Sequence, residues 1–135
     1  MNKSNYITRP LELEKHKTGV HIVRFGIEEV TRTVPGTDEE GNMTEVQQTS
    51  YDCYELFVEN GSEARSTEAA INALWGNGVE QKLVNDYLAA KEGIITGAKA
   101  TEAKAAYKQF LAERKLYKEQ IDAAYANYVP VEEGE

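Results

Sequence analysis

The sequence predicts an α+β fold: an N-terminal antiparallel β-hairpin or small sheet followed by three helices, the last one long. Three observations carry this. Positions 20–34 are rich in β-branched residues, and strand-forming residues return over 44–59. Turn formers are concentrated between those runs. From residue 101 to about 128 there is neither glycine nor proline, and Ala, Lys, Glu, Gln and Leu dominate.

With 135 residues the chain has the size of one domain, so a single core is expected. Residues 1–18 scatter Ile7, Leu11 and Leu13 among polar neighbours and read as an N-terminal arm or edge strand. The domain proper is expected over 19–128, with its hairpin at 19–60.

In the first strand Val23, Phe25 and Ile27 alternate with polar or small residues, the period of a half-buried strand. Beyond Gly26 the parity shifts, and Val30 and Val34 continue the face of Val20 and Ile22. A bulge or bend near Gly26, Glu28 and Glu29 accounts for the shift. The run PGTDEEGN at 35–42 marks a long, exposed hairpin loop. In the second strand Tyr54, Leu56 and Val58 share one face, and Tyr51, Cys53 and Phe57 the other. Apolar groups on both faces call for cover from two sides, or leave one face for a partner.

Asn60 and Gly61 close that strand, and Ser66 is a suitable N-cap for a helix over about 67–75, with Glu68 in its first turn. Gly76, Asn77 and Gly78 are expected to stop it. A second helix over 79–92 places Val79, Leu83, Val84, Tyr87 and Leu88 on one face, and Gly93 signals its end. After a short connector comes the third helix, 101–128. Ala103, Tyr107, Phe110, Arg114, Tyr117, Ile121, Ala124 and Tyr128 form a stripe along it, broken only by Arg114.

At 1.5 Å per residue the third helix would reach about 42 Å, more than the ~30 Å diameter of a small domain. Part of it projects against another chain, or it bends. Its stripe of aromatic and small residues favours packing on the shorter helices over a coiled coil. Val129 and Pro130 end it, and 129–135 form an acidic, solvated tail.

The net charge of −8 argues against a general nucleic-acid binder. It is unevenly spread: residues 28–63 hold ten acidic residues and one basic, Arg32, whereas 99–118 hold six basic and two acidic. An acidic end and a mildly basic helix follow, which either keep the surface solvated or support head-to-tail association. No run of about 18 apolar residues exists to span a membrane, and no apolar signal core follows the N-terminus, so residence in the cytoplasm is expected.

The inventory for catalysis is thin. Cys53 is the sole cysteine, which excludes an intramolecular disulfide and a zinc site of several thiolates. A pair between Cys53 and a histidine is geometrically conceivable, but no third orienting group or oxyanion motif accompanies it. The reading is a buried, inert Cys53, an exposed His16, and His21 on the polar or edge face of the first strand. Asp38, Glu39 and Glu40 lack the ligand spacing of a calcium loop. Gly76 and Gly78 punctuate helices rather than cradle phosphate. No catalytic, cofactor-binding or metal-binding residue is assigned, and no cofactor is expected.

Interaction residues are assigned instead to the aromatic and apolar positions of the helical half: Trp75, Tyr107, Phe110, Tyr117, Ile121, Tyr125 and Tyr128. Tyr and Trp combine an apolar body with a polar handle, which suits a wet interface as well as a core.

The segments EAAINALW (68–75), LVNDYLAAKEG (83–93) and YKQFLAERKLYKEQIDA (107–123), behind a long-looped hairpin, resemble small proteins encoded among the tail and virion genes of tailed phages and prophages. The resemblance covers roughly residues 50–125 in texture and transfers no site. It implies a virion component or tail-assembly factor that binds copies of itself or a larger phage protein, in the host cytoplasm during synthesis and then in the virion. The expectation is therefore a non-enzymatic interaction or assembly protein. Its alternative is a small acidic inhibitor that mimics nucleic acid through Asp38, Glu39, Glu40, Glu45, Asp52, Glu55 and Glu59. An enzyme would have to draw on His21, Cys53 and an acidic neighbour.

Overall fold

A computed structural model describes residues 1–130 of the chain. Its elements are β1 (Ser4–Tyr6), β2 (Leu13–Lys15), β3 (His21–Thr37), β4 (Met43–Val58), α1 (Glu63–Lys91) and α2 (Ala98–Ala126). The α+β class and the antiparallel sheet agree with the sequence reading. The acidic tail falls largely outside the described residues; Val129 and Pro130, within them, continue no helix.

The sheet is antiparallel in the order β1-β4-β3-β2. The N-terminal residues thus form neither a free arm nor one edge strand, but both edges at once: β1 pairs with β4 (Ser4 opposite Cys53) and β2 with β3 (Leu13 opposite Val23). Residues 7–12 strap from one edge to the other.

At the centre, β3 and β4 pair from His21–Val58 to Phe25–Tyr54. Between the Phe25–Tyr54 and Glu28–Asp52 pairs β3 carries one extra residue, the bulge that the parity shift predicts. Gly26 makes it possible. Its φ is +62°, a side chain there would press on the Tyr54 and Tyr117 rings, and its N–H donates to Gln120 Oε1 at 2.6 Å.

Beyond the bulge β3 and β4 stay paired from Glu28–Asp52 to Thr37–Met43; β1 still flanks the first two pairs, and from Val30–Ser50 onward the remaining eight form a two-stranded ribbon reaching about 23 Å. The expected loop at 35–42 is shorter, because Pro35 and Gly36 are strand residues opposite Glu45 and Thr44. A proline is tolerated there because each strand of an isolated ribbon has an unpaired edge. Asp38 closes the turn: its carboxylate accepts from the N–H groups of Glu40 and Asn42 at 2.9 and 2.8 Å.

The helices pack on the face of the sheet that carries Val23, Phe25, Tyr54, Leu56 and Val58, and the buried cluster is completed by Leu13, Ala70, Ile121 and Ala124. Burying these side chains stabilises by roughly 1.5–3 kcal/mol for each large one. α2 ends at Ala126, two residues short of the expected 128, so seven positions of the predicted stripe lie on it and Tyr128 just past its end; all eight are buried or half-buried, Phe110 and Ile121 almost completely.

The three expected helices form two elements. α1 runs on through Gly76 and Gly78, whose φ values of +46° and +83° lie outside the right-handed helical range. The glycines therefore interrupt the dihedrals where the stop was expected, without separating two elements. α1 also starts earlier than expected, because Ser62 rather than Ser66 is the N-cap, accepting from Arg65 N–H at 3.1 Å. Val79 and Leu88, assigned to the inward face, are 41% and 46% exposed.

α2 lies antiparallel to β3: Tyr125 meets His21, and Tyr117 meets Phe25. Going backwards along α2 therefore runs with β3 toward its ribbon, so the ribbon and the far half of the α1–α2 hairpin leave the core at the same end, as two prongs.

Candidate functional site: the ribbon and the side-chain clusters at its base

Cys53 and His21 do not meet. His21 is opposite Val58, five residues along β4 from Cys53, or about 16 Å, and the two side chains fall on opposite faces. Cys53 has no exposed surface, and burial, reinforced by Glu55, pushes its thiol up. His16 is exposed, as expected. Among the described residues no three His, Cys, Asp or Glu side chains gather as a metal site would require.

His21 departs from the expected polar edge. It faces the helices, where its Nδ1 is 2.6 Å from the Tyr125 hydroxyl, which is in turn 2.9 Å from Ser66 Oγ. Ser66 is fully buried, so this chain of three satisfies a hydroxyl that would otherwise be stranded in the core. Burial, helped by the nearby Lys15, lowers the pKa of His21 below its ordinary value. Gly61 lies against the ring so closely that a methyl group would overlap it. With the tyrosine in the middle and no exposed nucleophile, the arrangement clamps β3 to both helices.

On the opposite face of the sheet, Arg24 is almost fully buried. Its Nε donates to Glu55 Oε2 at 2.6 Å, Nη1 to the Leu11 carbonyl at 3.0 Å, and Nη2 to Glu14 Oε2 at 3.0 Å. The Tyr6 hydroxyl donates to Glu55, and the guanidinium lies 5.1 Å from the Tyr6 ring centre. One cation thus pins β4, β2, the strap and β1. Burial alone would lift the pKa of Glu55, but hydrogen bonds from Tyr6 and Arg24 outweigh it and hold the carboxyl below its ordinary value.

The seven residues assigned to interaction are all set against other parts of the same chain. Trp75 meets Phe110 edge-on at 4.9 Å, Tyr107 stacks toward Phe110 and pairs with Tyr87, Tyr117 packs on Phe25 and Tyr54, Tyr125 joins His21, and Tyr128 lies under Lys15. Ile121 is in the core. For Phe110 and Ile121 to contact a partner, the helices would have to separate from each other or from the sheet.

A cleft of about 450 Å³ lies between the strap and the last turns of α2. Its principal polar groups, Arg24 and Gln120, already have internal partners.

What remains outward is the ribbon. Positions 37–49 are exposed without interruption, and on β3 only Val30, Val34 and Gly36 gain partial cover. Glu28 pairs with Lys3 and Asp52 with Arg32, whereas among the described residues Glu29, Glu39, Glu40 and Glu45 form no ion pair. Met43 is 84% exposed, and Val46 at 41% also meets solvent. Asn5 anchors the base, donating to Ser50 Oγ and Asp52 Oδ1 at 3.0 and 2.7 Å. Sequence reading placed the acidity correctly but missed the ribbon's extent, because Pro35 and Gly36 look like loop residues.

Comparison with known proteins returns no matching family model, no matching curated protein and no matching solved structure.

Proposed function

We propose that this protein is a non-enzymatic interaction or assembly protein whose ribbon is the contact element. The observation that carries this reading is the ribbon itself. A two-stranded hairpin is marginal in water, yet the seven pairs of β3 and β4 from Thr31–Thr49 to Thr37–Met43 extend past the core and past β1 with both outer edges unpaired and most of their side chains exposed. A partner that covers those edges or side chains would complete it. The phage-like texture of the helical half, described above, supports a tail-assembly or virion setting in which the partner is a second copy or a larger phage protein.

The test is to replace residues 31–49 with a two-residue turn and compare the products of chemical crosslinking, in cells producing the protein in its native setting, with those of the full chain. The shortened protein should keep its fold by circular dichroism and lose its crosslinked products. Unchanged products would remove the ribbon from the function.

The tip also favours a second reading. The carboxylates of Glu39, Glu40 and Glu45 are exposed and unpaired on a narrow support, as a nucleic-acid mimic occupying a basic groove requires. In that case binding is to a foreign basic protein, and the protein alone stays monomeric.

A further inference from the structure

The surface of α2 that flanks its buried stripe, one residue or about 100° further round the helix, carries a second line of residues, Lys104, Lys108, Leu111, Lys115 and Lys118, at alternating spacings of four and three, which place them along one side of a helix. All five are exposed. Lys115 and Lys118 are held by Glu119 and Asp122 one turn on, but among the described residues Lys99, Lys104 and Lys108 form no ion pair. Leu111, 43% exposed, interrupts the lysines near the middle of the line.

The ribbon tip has the complementary composition: unpaired Glu39, Glu40 and Glu45 around the exposed Met43 and Val46. Resting on the assembly reading above, we propose that the ribbon of one molecule docks along this lysine line of a second copy, with Met43 against Leu111, Glu45 on the same ribbon face as Met43, and the tip carboxylates against Lys104 and Lys108.

Charge decides between this and the obvious alternative. Pairing two ribbons edge to edge would bring together two tips that each carry Asp38, Glu39, Glu40 and Glu45 with no lysine or arginine among residues 33–50. Docking on α2 instead sets the tip carboxylates against lysines. Within one molecule no ribbon acid reaches an α2 lysine in an ion pair, so both surfaces remain available. Because ribbon and helix line are different surfaces, each contact uses one of each; two reciprocal contacts close a dimer, and contacts that do not close propagate into a larger ring or filament. The line from Lys104 to Lys118 is only about 21 Å long, so the contact is small against the ~800 Å² per partner of a standard interface. The association is therefore concentration-dependent and salt-sensitive.

The test uses the full chain in light scattering coupled to size exclusion. Wild-type protein should grow in mass with concentration, and its association should weaken about tenfold or more when salt rises from about 50 to about 500 mM. A ribbon variant (E39K/E40K/E45K) and a helix variant (K104E/K108E) should each be monomeric, folded by circular dichroism, and should associate when mixed, because each then offers the other two complementary surfaces. Mixing distinguishes lost docking from lost folding. A wild-type monomer under all conditions overturns the docking and leaves the interaction reading to the crosslinking test. A wild-type multimer that survives both reversals overturns the docking while supporting assembly by another surface.

Discussion

Arg24 and Glu55 stand directly opposite each other on β3 and β4, joined by a 2.6 Å hydrogen bond on the side of the sheet away from the helices. The side chains of both are close to inaccessible, at 9% and 13% exposure. A buried pair of this kind adds little over a well-packed apolar pair but is costly to split. Arg24→Ala should cost about 3–5 kcal/mol in urea unfolding, because it leaves Glu55 without its cation and the Leu11 carbonyl without a donor. The double change Arg24→Met with Glu55→Leu should recover much of the loss. Equal losses in the single and double variants would show that the pair is not the source.

The same pair sets an acid limit. Glu55 has a depressed pKa in the fold, so it contributes stability at pH values above its ordinary value near 4.5, and that contribution disappears as pH falls through the lower folded value. Glu55→Gln should flatten the stability curve below about pH 4.5. A wild-type slope retained in the variant would assign acid sensitivity elsewhere.

His21 acts one pH window higher. Its folded pKa lies below the unfolded value of 6.5, so the unfolded chain takes up a proton that the folded chain refuses. Stability is complete above that value and declines as pH falls from about 6.5 toward the folded pKa. Titration of the ring by NMR should give a midpoint below that of an unfolded peptide, and His21→Gln should remove the decline. A midpoint at or above the peptide value would refute the buried, neutral ring.

Gly61 and Gly41 make a paired test of steric against conformational demand. A methyl at Gly61 overlaps the His21 ring, whereas Gly41 has open space and only its φ of +82° to defend. Gly61→Ala should destabilise by about 1–3 kcal/mol through overpacking and Gly41→Ala by about 1 kcal/mol through backbone strain. Thermal unfolding of the two variants checks the order, and Gly41→Ala as the more damaging change would contradict it.

In the far half of the helical hairpin Trp75 rests edge-on against Phe110, which is 3% exposed. Phe110→Ala should cost about 3–5 kcal/mol and shift Trp75 fluorescence to the red as water enters. Because Trp75 is the only tryptophan, the spectrum reports this contact alone. An unshifted spectrum would place the indole elsewhere.

Local chemistry made much of this fold legible and concealed the rest for identifiable reasons. The extra residue near Gly26 showed as a change of parity, and the inward stripe of α2 as a helical period, since both are recorded in consecutive residues. Ser62 and Ser66 offer the same capping group to a reader of sequence; only the Tyr125 hydroxyl, 59 residues away, assigns Ser66 to the core. Gly76 and Gly78 resemble a stop, but aromatic contacts from α2 hold both sides of them, Trp75 through Phe110 and Tyr87 through Tyr107. The candidate interaction surface was half-legible: the acids of the tip were evident, whereas the chosen aromatic residues proved to pack within the chain, because Tyr and Trp suit a core and an interface equally. Arg24 hid in the alternation of Val23 and Phe25, and its importance depends on a register with Glu55 and Glu14 that spacing alone does not disclose.

The strap that crosses between the two edges has a consequence for biosynthesis. Ser4, Asn5 and Tyr6 take their places beside Cys53, Asp52 and Tyr51, and Leu13 beside a strand that is itself aligned on Leu56. During translation β1 therefore stays unpaired until β4, about fifty residues further along the chain, has left the ribosome, and β3 waits longer still for Tyr125, 104 residues after His21. Over those intervals both strands are open to premature contacts.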